Sequence, residues 1–146
     1  MIKNILLLLS FLLITSTMTA CTSVPLADHE QDVKAKLFTV EKGKSNIYIY
    51  RNEIENFNTT MSVDIDGKHV GDTEQRTFIV KTVTPGKHVI TAHAENTSEI
   101  ELTTEADKNH FVWLEVYVGA FVPRAELHNV SKDKGQVGVK ESNLVK

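Results

Sequence analysis

Residues 5–14 are apolar except for Ser10 and follow a short start that carries Lys3. The run is too short to cross roughly 30 Å of hydrocarbon as a helix. Followed by small residues up to position 20, it reads as a secretory leader over 1–20. Residues 21–36 are polar and charged around Pro25. They predict a flexible tether of about 20 Å root-mean-square span, although 28–36 could form a short helix of poor apolar periodicity. From Asn46 the period changes to two, the signature of strands. Ile47 and Ile49 alternate with Tyr48 and Tyr50, and Met61, Val63 and Ile65 share one face of the next strand. Phe78 lies in a strand over 76–83, and 87–95 with 98–104 form a hairpin about Asn96-Thr97. Residues 110–118 are apolar on both faces, as a central strand requires, and 123–130 form the last strand. Asp66-Gly67 predicts a two-residue hairpin turn, and Thr84-Pro85-Gly86 a second turn. Gly135 and Gly138 each weaken a helix by about 1 kcal/mol, so the tail signals at most a short C-terminal helix. Some seven to eight strands with turns about every 8–12 residues predict an all-β fold over 37–146, an antiparallel β-sandwich. An open barrel would give the same pattern.

Composition narrows the function classes. Sixteen basic against nineteen acidic residues leave a net charge of -3, which argues against nucleic acid as a partner because that needs a concentrated basic surface. The single cysteine, Cys21, allows no intrachain disulfide and no cysteine-rich metal site. It follows Met18-Thr19-Ala20, and this junction resembles the bacterial lipobox. The resemblance implies that the leader is removed before Cys21, whose thiol and new amine are acylated. Two or three acyl chains would hold the protein to a membrane essentially permanently, since each buried CH₂ contributes about 0.8 kcal/mol. Thr22 follows the cysteine where an aspartate would signal inner-membrane retention. The expected location is therefore the bacterial cell envelope, lipid-anchored at the outer membrane and facing the periplasm. Removing 20 of the 146 residues leaves 126, enough to fold without a disulfide or metal.

Residues 63–71, Val-Asp-Ile-Asp-Gly-Lys-His-Val-Gly, precede 84–90, Thr-Pro-Gly-Lys-His-Val-Ile. Together they resemble the PEGA-type module, in which a D-G-K-x-x-G hairpin is followed by a P-G-K-H turn. With residues 47–51 before and 110–113 after, the chain from 38 to 130 resembles a family of bacterial lipoproteins known as a domain of unknown function. The resemblance implies a β-sandwich and brings no catalytic residues.

Candidate chemistry is sparse. Of six histidines, no two have H-x-H or H-x₃-H spacing. His88 and His93 should point to opposite faces of one strand, and zinc needs three or four converging ligands. His29, His69 and His110 read as surface or structural residues, and no metal or cofactor is expected. Asp64 and Asp66 share a strand face, but no EF-hand run surrounds them. Glu115, mid-strand among aromatics, is expected to pair with Arg51 or Arg124, since an isolated buried carboxylate is costly. An alternative reading makes the protein a periplasmic hydrolase or ligand-modifying enzyme using Glu115 and a nearby histidine. The leading expectation is non-enzymatic. Tyr48 and Tyr50 share one strand face, and Phe111, Trp113 and Tyr117 share another. If those strands are neighbours, the five form an aromatic surface for an envelope protein or glycan. Covered by the C-terminal segment with Val137, Val139 and Leu144, they would instead be core. Residues 119–123 form an apolar connection, an interaction loop if exposed.

Overall fold

The computed structural model describes residues 23–53, 59–120 and 122–146. The leader, Cys21 and Phe121 lie outside the described residues. Two helices and nine strands are present among them: α1 (His29–Ala35), β1 (Ser45–Arg51), β2 (Met61–Ile65), β3 (Lys68–Thr73), β4 (Thr77–Val83), β5 (Gly86–His93), β6 (Thr97–Thr104), β7 (Lys108–Val118), β8 (Pro123–Val130), α2 (Lys132–Lys140) and β9 (Asn143–Leu144). They form an all-β sandwich of a five-stranded sheet, β8-β7-β1-β4-β9, and a four-stranded sheet, β3-β2-β5-β6. Most neighbours are antiparallel as expected, but β7 runs parallel to β1 and β9 parallel to β4. Period-two patterning assigns a side chain to a face and leaves the direction of the neighbouring strand open.

The inner faces close on an aliphatic core. Ile47, Ile49, Ile79, Val112 and Leu114 of the larger sheet meet Met61, Val63, Ile90 and Leu102 of the smaller. The outer face of the larger sheet holds a second, aromatic core: Tyr48, Tyr50, Phe78 and Phe111 under Val139. Strand β1 is buried along its whole length because it borders both layers.

The two turn motifs prove to be one device. Asp66 and Gly67 both take positive φ, 53° and 72°, as the hairpin turn demands. Asp66 then accepts from the Val89 amide at 2.9 Å and bonds His88 Nδ1 at 2.7 Å. His88 Nε2 bonds the Thr84 carbonyl at 2.8 Å. Both ring nitrogens face acceptors, so the imidazolium satisfies both at once. Burial works against that charge, but the Asp66 hydrogen bond, the Thr84 carbonyl and the Asp66 charge outweigh it and raise the His88 pKa.

The stretch read as a flexible tether is not one. Val24 is buried, its amide bonds Glu74 Oε2, and Leu26 bridges to Val145. The Ala27 amide bonds the Leu144 carbonyl. Asp28 caps α1 by accepting from the Gln31 amide, with the Gln31 side chain returning to the Asp28 amide. Asp32 accepts from the Leu144 amide, and Tyr48 donates its hydroxyl to the Ala35 carbonyl. Sparse apolar content hid this docking, because hydrogen bonds rather than greasy contacts do most of the fastening.

Helix α2 forms despite its two glycines, and for a reason that propensity conceals. A methyl group on Gly135 would overlap the Phe111 ring, and one on Gly138 the Tyr50 ring. The glycines let the helix backbone lie directly on the aromatic layer.

Candidate functional site

Four of the five sequence-predicted aromatics come together, while Tyr117 stands apart near the far end of β7. Tyr48 pairs with Phe111 and Tyr50 with Trp113 across the β1–β7 ladder. Tyr48 and Phe111 stack with centroids 5.2 Å apart and planes 20° from parallel, and Phe38 closes on both edges-on or tilted at 5.8 and 5.3 Å. Such pairs contribute about 0.5–1.5 kcal/mol beyond their area. As a binding surface, however, the group must be corrected. Tyr48, Tyr50 and Phe111 are each at most 2% exposed, plated over by α1, Phe38 and α2. Burial raises the pKa of Tyr48 to about 12; burial and the charge of Glu141 do the same for Tyr50, also to about 12. Both remain neutral phenols with structural roles.

The uncovered half of this sheet face carries different chemistry. Trp113 is half-buried at the margin of α2, with Lys134 Nζ 4.3 Å from its centroid. Its indole nitrogen is buried and, among the described residues, has no hydrogen-bond partner. Beyond it the β7–β8 register places Trp113 opposite His128, Glu115 opposite Glu126, and Tyr117 opposite Arg124. Tyr117 is 38% exposed. The His128 ring lies 5.2 Å from that of Trp113, and His128 Nε2 is 2.8 Å from Glu115 Oε2.

Glu115 thus finds a histidine rather than the expected arginine. Arg51 is fully buried and committed elsewhere: to Glu53, and to the carbonyls of Thr59 and Thr73. Glu126 and His128 carry no histidine–histidine spacing that would mark them in the sequence. The Glu-x-His spacing at 126 and 128, which puts both side chains on one strand face, was the available signal.

Three larger clefts lie elsewhere on the described residues. One of about 750 Å³ lies between α1 and the sheet, lined by Gln31, Lys34, Tyr48, Val80, Thr82 and Val145. A second, about 600 Å³, is lined by Phe38, Asp107, Asn109 and Lys132. A third, about 430 Å³, runs beside α2 along Tyr50, Asn52, Trp113 and Val137. None is lined by Glu115 or His128. On the opposite sheet, Asp64 lies between His93, at 2.9 Å, and His69, at 3.5 Å. His93 is exposed and His88 buried, on opposite faces of β5 as predicted. In the connection after β7, Val122 is exposed, as is Val118 at the end of β7 itself.

These features define a small β-sandwich whose aromatic outer face is closed by two short helices on one half and open, with acidic and imidazole groups, on the other. The chain belongs to the family described as Protein of unknown function (DUF2846), whose sequence profile matches residues 41–124. It is 33% identical over 129 residues to an uncharacterized protein of Haemophilus influenzae, covering 87% of this chain and 77% of that one. The family match spans β1 to β7 and stops at Arg124, the second residue of β8, leaving both helices outside.

Proposed function

We propose that this is a lipid-anchored envelope protein, fastened to the outer membrane through Cys21, whose periplasm-facing sandwich is a non-enzymatic binding or structural module. The observation that carries the reading is the position of the only cysteine, directly after Met18-Thr19-Ala20 at the end of the apolar leader. The hairpin and turn motifs held by His88 add a resemblance to PEGA-type modules. A binding role falls to the surface left uncovered beside α2, where Trp113 and Tyr117 offer aromatic area to an envelope protein or glycan.

Mass spectrometry of the exported protein, with metabolic labelling by palmitate, tests the anchor. An N-terminal acylated Cys21 is expected, and Cys21→Ser should abolish labelling. An intact leader or an unmodified thiol would overturn the reading. A photo-crosslinking residue at Tyr117 tests the binding half, with crosslinks lost when Trp113 becomes alanine in a folded protein.

The 2.8 Å contact of Glu115 with His128 favours one second reading, a hydrolase or ligand-modifying enzyme in which this pair moves a proton. It requires turnover of an ester or glycoside panel that Glu115→Gln removes. The site lies on an open strand surface outside the larger clefts, which makes this the weaker of the two.

A further inference from the structure

Glu115 and Glu126 stand directly opposite each other on β7 and β8. His128, two residues further along β8, shares their face. One oxygen of each carboxylate and one imidazole nitrogen all lie within 4.8 Å of one another. We propose that Glu115, Glu126 and His128 form a binding site for a divalent transition-metal ion, zinc foremost.

Electrostatics supplies the first reason. Like charges directly opposite in a ladder destabilise it. Among the described residues, no lysine or arginine makes an ion pair with either glutamate; His128 is the one basic partner in contact. Arg124, next along the same face, instead packs its Cγ and Cδ beside Gly119. A divalent cation between the carboxylates would turn their repulsion into attraction and match their combined charge.

Ligand chemistry supplies the second. One imidazole nitrogen with two carboxylate oxygens suits zinc, which takes three protein ligands and keeps a fourth position for water. Calcium wants six to eight oxygens, and magnesium keeps several waters around few carboxylates. Adjacent strands hold the three backbones in register, and the Trp113 ring backs His128, so little must be ordered on binding. Glu115 and His128 have side chains 37% and 34% exposed, and an ion can reach them without opening the fold. No other group of three such ligands gathers as closely among the described residues. The histidines alone gave no hint of this, because two of the ligands are carboxylates and one of those, Glu115, comes from the neighbouring strand. The inference does not depend on the lipid anchor.

Trp113 is the only tryptophan in the chain and provides a local reporter. The mature chain, carrying no affinity tag, is titrated with zinc by calorimetry in a non-chelating buffer. Quenching of Trp113 emission by cobalt is followed in parallel. One zinc equivalent with a dissociation constant on the order of micromolar is expected, with cobalt quenching that zinc competes away. Glu126→Gln and His128→Gln should each weaken both signals by at least about tenfold. His93→Gln, on the other sheet, should leave them unchanged. Glu126 is exposed, so its variant keeps the fold, as circular dichroism will verify. Absence of saturable binding up to about 1 mM would overturn the proposal. So would binding that survives Glu126→Gln and vanishes with His93→Gln.

Discussion

Replacing Gly138 by alanine sets two effects of opposite sign against each other. In a helix interior the change favours folding by about 0.5–1 kcal/mol, through backbone entropy alone. Against this, the new methyl would overlap Cε2, Cδ2 and Cζ of Tyr50. That ring is 1% exposed on a strand flanked by neighbours on both sides, so it has nowhere to go. Overpacking of this kind costs about 1–3 kcal/mol. Lifting α2 away instead would uncover Val139, at about 1.5–3 kcal/mol. The net expectation is a loss of about 1–2 kcal/mol, or a melting temperature lower by roughly 3–10 °C for a domain of this size. Thermal and urea unfolding followed by circular dichroism measure it. A cycle with Tyr50→Ala isolates the cause: once the ring is gone, Gly138→Ala should become neutral or stabilising. If Gly138→Ala alone melts at or above the native temperature, the close approach of α2 to the aromatic layer is refuted.

The pH dependence of stability should carry the signature of the His88–Asp66 pair. His88 is raised above its ordinary 6.5, so its contribution is fully present below that value and is lost as pH rises through the higher, folded value. Asp66 is lowered below 3.8, chiefly by the His88 hydrogen bond, so its contribution is present above 3.8 and is lost on acidification. The difference in urea midpoint between native protein and His88→Asn should therefore be widest at about pH 4–6.5 and shrink toward alkaline pH; a difference independent of pH would count against the charged pair. A chain starting at Leu37 should lose at least about 2 kcal/mol through Val24 burial and the α1 contacts. Equal urea midpoints for the short and full chains would restore the view of 21–36 as a mere tether.

Where the sequence was readable, local chemistry and global fold agreed. The alternation Ile47-Tyr48-Ile49-Tyr50 assigned one side chain set to each face of β1, and the structure fills both faces. Asp66-Gly67 marked its turn because few residue pairs accept positive φ in succession. Strand partners were harder, since the parallel β1–β7 pairing joins elements more than fifty residues apart, and no periodicity encodes that distance. Gly135 and Gly138 misled because their weakness as helix formers is visible in sequence and their fit over Phe111 and Tyr50 is not. The Glu115–Glu126–His128 group was only half legible: the 126/128 spacing puts two members on one face, but Glu115 joins them only once β7 and β8 are in register.

If Cys21 is acylated as proposed, the seating of Val24 also limits how far the sandwich would stand from the anchor. Three peptide steps separate the two residues, a reach of only about 10 Å even at full stretch. An acylated protein would ride flush on the lipid headgroups with its N-terminal flank turned down, unable to swing outward on a leash. Any partner of such an anchored protein would then have to come within a molecular diameter of the bilayer.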